Sequence, residues 1–203
     1  MAPTGGHYDA PHLARTVANF TALTPLSFLA RAAAVYPDKL AVLDGDASFA
    51  YSAFYARCRR LADALRRRGI GPGDTVAVLA PNNSALLEAH YGVPMAGAVL
   101  NALNTRLDAR SIAFILVHGQ AKLLIADREF AAVVNPALAE LGRPLPLVEI
   151  DDGKGAERLG GIEYEAFLGE GDPAFDWQGP ADEWAPIALN YTSGTTGNPK
   201  GVV

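Results

Sequence analysis

The stretch SAFYARCRRLADALRRRGIGPGDTVAVL, residues 52–79, decides the fold class. In its first half Phe54, Cys58, Leu61 and Leu65 recur at spacings of three and four, the stripe by which an α-helix buries one face. Ser52 stands before them as the expected N-cap, and Gly69 just past the last turn, where a left-handed residue closes a helix. Gly71-Pro72-Gly73-Asp74 then turns the chain. Thr75–Leu79 follows, five residues with no charge and no alternation, as a strand reads when both faces are covered.

The same reading extends in both directions. Upstream, Leu26, Leu29, Ala33 and Tyr36 predict a helix over 25–36 that Pro37 stops. Leu40–Leu43 and Ala47–Tyr51 flank Asp44-Gly45-Asp46 and predict a hairpin. Residues 1–22 hold Pro3, Gly5, Gly6 and Pro11 without a period and read as a flexible lead-in. Downstream, a helix capped by Asn82, Asn83 or Ser84 is expected through about Tyr91, then a strand over 98–103, a helix over 111–117 and a strand over 122–126. A helix over 129–141 and a strand over 145–150 complete the series. Strict alternation from 52 to 150 predicts βα crossovers, hence an α/β fold with a mostly parallel sheet flanked by helices.

Beyond residue 150 the period fades. Residues 151–186 carry ten of the 22 acidic residues and read as a solvated surface excursion. Arg57, Arg59, Arg60, Arg66, Arg67 and Arg68 crowd the long helix; they read as its solvated face, with an anionic partner as the alternative.

Composition narrows the classes. The chain has 203 residues, 50% of them hydrophobic and 19% charged, which excludes disorder throughout. A single cysteine, Cys58, excludes an intramolecular disulfide framework and is expected in the core. A net charge of -5 does not point to nucleic acid. The longest clean apolar run, Ile112–Val117, falls far short of the ~20 residues that span a membrane. With no basic segment leading into an apolar one at the N-terminus, a cytoplasmic chain is the default. His90 and His118 lie near helix ends and are expected to cap or pack. Asn101, Asn104 and Arg106 follow a strand end and stand as secondary candidates.

Residues 191–201 read Tyr-Thr-Ser-Gly-Thr-Thr-Gly-Asn-Pro-Lys-Gly, between apolar Ile187-Ala188-Leu189 and Val202-Val203. This is a glycine-rich loop between two strands. Gly194, Gly197 and Gly201 let the backbone approach a ligand closely and adopt positive φ. Consecutive N–H groups can then converge on an anion. Thr192, Ser193, Thr195 and Thr196 add hydroxyl donors, and Lys200 a charge on a long stem suited to a phosphate tail. A polyphosphate fits this set; an ordinary polar hairpin turn is the bland alternative. Pro199 before the lysine excludes a Walker A loop, and no Gly-X-Gly-X-X-Gly occurs.

Thr192–Gly201 resembles the signature loop of the adenylate-forming superfamily, which includes acyl-CoA synthetases, luciferases and peptide-synthetase adenylation domains. The segments 49–54, 69–79 and 94–108 are similar to its early strand-to-helix pieces, so the resemblance runs from about residue 24 to the end. Asp182-Glu183-Trp184 and the 101–108 segment look most like ligases of short- or medium-chain acids, as in plant peroxisomal acyl-activating enzymes and bacterial methylthiopropionate-CoA ligases.

The resemblance implies two steps: a carboxylic acid and ATP give acyl-adenylate and pyrophosphate, and coenzyme A then displaces AMP. Mg²⁺ would neutralise the phosphates, while Thr192, Ser193, Gly194, Thr195, Thr196, Gly197, Lys200 and Gly201 would hold them. In that family the adenine, acyl and metal contacts and a late catalytic lysine lie downstream of the loop. Residues 23–203 are therefore expected to be a partial N-terminal AMP-binding domain with no catalytic residue and no metal site, inactive alone, with exposed strand edges that favour low stability or association. Homo-oligomerisation stays open. A peptide-synthetase adenylation domain, a non-catalytic phosphate-binding module and a protein-binding fragment are the competing readings.

Overall fold

The computed structural model describes residues 7–151, 153, 157–192 and 199–203. Helix α1 spans Leu26–Val35, and strands β1, Leu40–Asp44, and β2, Ala47–Ala50, form the expected antiparallel hairpin. The long helix is α2, Tyr51–Arg67. Ser52 does not cap it. The helix starts two residues earlier than a Ser52 cap implies, with Ala50 at its N-cap, and the N–H groups of Tyr51 and Ser52 donate to the carbonyls of Lys39 and Pro37, both at 3.0 Å. The backbone leading into the hairpin thus satisfies two of the free N–H groups that a capping side chain would otherwise serve. At the other end Gly69 takes φ +73° and Ile70 N–H reaches back to Leu65 O at 3.1 Å, the left-handed closure the sequence predicts.

From there the chain alternates. Strand β3, Thr75–Leu79, leads through α3, Ser84–Met95, to β4, Val99–Ala102. Helix α4, Ala109–His118, returns to β5, Ala121–Asp127. Helix α5, Ala131–Glu140, leads to β6, Leu147–Ile150, and β7, Ile162–Glu163, follows. The five strands form one parallel sheet in the order β4-β3-β5-β6-β7. Because β4 and β5 flank β3 on opposite sides, crossovers of one hand put α3 on one face and α4 and α5 on the other.

Alternate residues of each central strand feed two cores. Val76, Val78, Leu123, Ile125 and Val148 meet Phe54, Cys58, Leu61 and Leu65 of α2 on one face. Ala77, Leu79, Leu124 and Ala126 meet Ile112, Ile115 and Leu116 of α4 on the other. All five residues of β3 are buried, which is why its sequence shows no alternation.

Two expectations need correction. Helix α3 runs four residues past Tyr91, through Gly92 and Pro94. A Cβ at Gly92 would stand 2.8 Å from Leu61 Cδ2 and 2.9 Å from Cys58 O, so this glycine is the point where α3 touches α2, not a helix stop. The second concerns residues 151–186. Helix α6, Tyr164–Gly169, buries Tyr164, Phe167 and Leu168 in the first core, and the chain after it straps across α2. Four of the six arginines read as a solvated face hold that strap, while the exposed Arg67 pairs with Asp63 on its own helix. Arg57 pairs with Glu165 at 2.5 Å and Arg68 with Glu170 at 2.7 Å. Arg59 donates to Phe175 O at 2.8 Å and Arg60 to Gly171 O at 2.9 Å. Trp177 Nε1 donates to Tyr55 OH at 2.8 Å. The acid-rich segment and the arginine-rich helix are each other's partners.

Beneath the strap, Arg57 also pairs with the fully buried Glu88 at 2.5 Å, and Tyr164 OH donates to the same carboxylate at 2.7 Å. Burial pushes the Glu88 carboxyl up, and the two partners offset this only in part. Cys58 is fully buried, as expected.

Candidate functional site

The signature segment enters along the free edge of β4. Leu100 N donates to Ile187 O at 3.0 Å and Leu189 N to Leu100 O at 2.8 Å, with a parallel bridge between Leu100 and Ala188. The chain therefore runs in the common direction of the sheet and leaves it at the C-terminal end, where α/β sheets carry their sites. Strand β8, Asn190–Thr192, then pairs antiparallel with β9, Lys200–Val202. The loop is thus carried between two strands, as the sequence predicts.

The register sets Thr192 opposite Lys200 and Tyr191 opposite Gly201. Thr192 and Lys200, both exposed, stand at the mouth of the hairpin. Gly201 has a steric reason of its own. A Cβ there would come within 3.1 Å of Leu189 Cδ1 and 3.4 Å of Tyr191 Cζ, so its missing side chain makes room for the tyrosine ring. Ser193, Gly194, Thr195, Thr196 and Gly197 lie outside the described residues.

Beside the hairpin is a cavity of about 240 Å³, bounded by Leu103, Asn104, Leu107, Ile115, Tyr191 and Thr192 among others. Of the secondary candidates, Asn104 lines it, yet its Oδ1 accepts from Arg106 N at 2.9 Å and shapes the turn after β4. Asn101 is fully buried on β4, and neither atom of its amide has a partner among the described residues. It faces the end of α4, where a Cβ on Gly119 would be 3.3 Å from its Nδ2.

Sequence reasoning passed over Tyr191 as a site residue and gave His118 only a capping or packing role. His118, the last residue of α4, places Nδ1 2.7 Å from Tyr191 OH. Phe114 stacks on the imidazole at 5.3 Å between centroids. Burial raises the Tyr191 phenol above its ordinary value. The signal in the sequence was weak: Phe114 and His118 stand four apart on one helix face, but nothing local ties them to residue 191.

The crevice where the strand order reverses, between β3 and β5, is bridged by side-chain hydrogen bonds. Asn83 Nδ2 donates to Asp127 Oδ2 at 3.2 Å, and Ser84 N donates to Asp44 Oδ2 at 2.7 Å from the β1–β2 hairpin. The glycine-rich hairpin sits at the β4 edge instead.

Among the described residues no helix is long and apolar enough to cross a membrane. Residues 29–203 match the family model described as AMP-binding enzyme. The acetate/butyrate–CoA ligase AAE7, peroxisomal, of Arabidopsis thaliana is 49% identical over 96% of this chain and 37% of its own. The acetate–CoA ligase CCL3 of Humulus lupulus is 48% identical over the same shares. The chain thus spans little more than a third of these relatives' length. The crystal structure of the anthranilate CoA ligase AuaEII with anthranoyl-AMP superposes with a TM-score of 0.82 at 21% identity, over 93% of this chain and 36% of that one, a likeness of fold. By sequence match over residues 29–203 and by the identity of these relatives, this chain belongs to the AMP-binding enzyme family.

Proposed function

We propose that this chain is the N-terminal part of an ATP-dependent carboxylic acid–coenzyme A ligase acting on a short- or medium-chain acid. A carboxylate oxygen of the acid bonds to the α-phosphorus of ATP, the bond to the bridging oxygen breaks, and pyrophosphate leaves. The sulfur of coenzyme A then bonds to the acyl carbon, the thiol proton passes to solvent, and AMP departs with the electron pair of the broken C–O bond.

The observation that carries this reading is the hairpin that sets Thr192 against Lys200 at the C-terminal end of the sheet. Charge building on departing pyrophosphate is stabilised by preorganised N–H groups, hydroxyls and a cation, and the residue types of Thr192–Gly201 supply glycine backbone, hydroxyls and a lysine. Thr192, Ser193, Gly194, Thr195, Thr196, Gly197, Lys200 and Gly201 are the phosphate contacts in this proposal. Among the described residues no cluster of three His, Cys, Asp or Glu side chains could hold a metal. In this proposal Mg²⁺ enters with the nucleotide's own phosphates, and no residue of this chain is assigned to it. The substrate class is supported by the two plant relatives, both named for acetate. A cytoplasmic location belongs to the same proposal; the Arabidopsis relative is named as peroxisomal.

Acid-dependent ATP–pyrophosphate exchange in the full-length protein is the test, with acetate, butyrate, benzoate and a panel of amino acids. Exchange with acetate or butyrate is expected, and Lys200→Ala should slow it about 100- to 1,000-fold, the scale of one lost transition-state contact. Circular dichroism should not change, because Lys200 is exposed. Exchange with amino acids alone would make the protein an adenylation domain, and silence with every acid would remove the ligase reading.

A further inference from the structure

Backbone bonding between the signature segment and the main sheet ends, among the described residues, at Leu189. From Asn190 onward β8 and β9 form a separate two-stranded sheet, paired with each other. A phosphate loop on so short a stem needs another anchor, since catalysis by oriented N–H groups tolerates little displacement. The Tyr191 ring supplies one. On one side it lies over Gly201, whose absent side chain leaves the space. On the other its hydroxyl bonds to His118 Nδ1 at 2.7 Å, with the two rings edge to face at 5.7 Å between centroids.

His118 is held in turn. Phe114, one turn earlier on α4, stacks on it with an interplanar angle of 22°. Helix α4 is rooted in the second core through Ile112, Ile115 and Leu116. The path thus runs from the core through α4, His118 and Tyr191 to Thr192, which opens the loop. Neither imidazole state breaks it. A neutral ring accepts the tyrosine O–H at Nδ1 or donates Nδ1–H to the phenol oxygen, and a protonated ring donates.

We propose that His118 is a positioning residue for the glycine-rich loop: through Tyr191 it fixes the height of β8, and so the place where the loop meets the terminal phosphates of the nucleotide. This rests on the ligase reading for its phosphate arm, whereas the anchoring of β8 stands on geometry alone.

Two measurements on the full-length protein test it. Hydrogen exchange over residues 187–192 is compared in wild type, His118→Leu and His118→Gln. Leucine removes the bond, whereas the glutamine amide can still bond to a hydroxyl. Leucine should speed exchange of the Tyr191 and Thr192 amides about fivefold while β5 stays unchanged, and glutamine should stay within about twofold of wild type. In ATP–pyrophosphate exchange the leucine variant should lower kcat about fivefold with KM for pyrophosphate changed less than about twofold, since the displaced loop loses contacts made in the transition state. Tyr191→Phe should do the same, and the double variant His118→Leu with Tyr191→Phe should be no worse than either single change. Unchanged exchange over 187–192 in His118→Leu overturns the proposal. Faster hydrogen exchange with an unmoved kcat also overturns it, leaving a packing contact. An enzyme silent toward every acid refutes the ligase reading instead, and hydrogen exchange still decides whether His118 anchors β8.

Discussion

Glu149 is a fully buried carboxylate inside the short strand β6, with apolar Val148 and Ile150 on either side. Arg128 donates to it at 2.9 Å, Arg158 at 2.8 Å and Leu159 N at 2.7 Å. Arg128 also bonds to Asp151. Burial would push this carboxyl up, but the two guanidinium groups and the N–H outweigh it and hold it at about 2. Folded protein therefore binds the Glu149 proton less tightly than unfolded chain does. The stability this gives is fully present above the ordinary value near 4.5 and is lost as pH falls from there toward about 2. Urea unfolding at pH steps across that window should show a fall that Glu149→Gln flattens. At pH 7 Glu149→Ala should cost about 3 kcal/mol, the low end for breaking a buried ion pair, since Arg128 keeps Asp151. None of this was legible locally. A glutamate in Leu147–Ile150 reads as the outward position of an alternating strand, and its partners arrive from residues 128 and 158. The same distance in sequence hid the bond from His118 to Tyr191, although the motif itself was plain.

Elements were legible where each carries its own signal. The stripe of α2 and the apolar runs Val76–Leu79 of β3 and Leu123–Ala126 of β5 each lie within a few residues, so period and turn chemistry suffice to place them. The strap over residues 164–177 failed that test because its partners are remote. Its acids and carbonyls meet arginines more than a hundred positions earlier, and charge complementarity across such a gap leaves no period to read. One glycine makes the closest approach. A Cβ at Gly171 would fall 2.0 Å from Arg60 O, a backbone atom that cannot move aside. Gly171→Ala should therefore lift the strap from α2 while the sheet survives. Limited proteolysis of this variant should cut between residues 170 and 178 at protease levels that leave wild type whole. Equal resistance of the two proteins would mean that the strap tolerates the shift.

Across the whole molecule the two cores share their strands. Leu123 and Ile125 of β5 pack on one face while Leu124 and Ala126 pack on the other, so neither core can open without disturbing the sheet. Strand order was beyond the sequence. Alternating βα units fix a parallel sheet, but no residue states that β4 lies outside β3, and that placement puts the signature hairpin at an edge. The strap joins the same cooperative unit if its buried residues outweigh its exposed stretch. Tyr164, Phe167 and Leu168 are all within 3% of full burial, which argues that they do. The two tryptophans allow a direct check. Trp177 is half-buried against Tyr55 and reports the strap, whereas Trp184 is 92% exposed and contributes a nearly constant signal. Far-ultraviolet circular dichroism reports the sheet and helices. In urea the fluorescence and dichroism transitions should coincide within error, the behaviour of one cooperative unit. A fluorescence midpoint clearly below the dichroism midpoint would instead make the strap a separate, weaker unit held by its ion pairs. Added salt should then lower the fluorescence midpoint alone, because half-exposed pairs such as Arg68–Glu170 are screened while the buried apolar contacts are not.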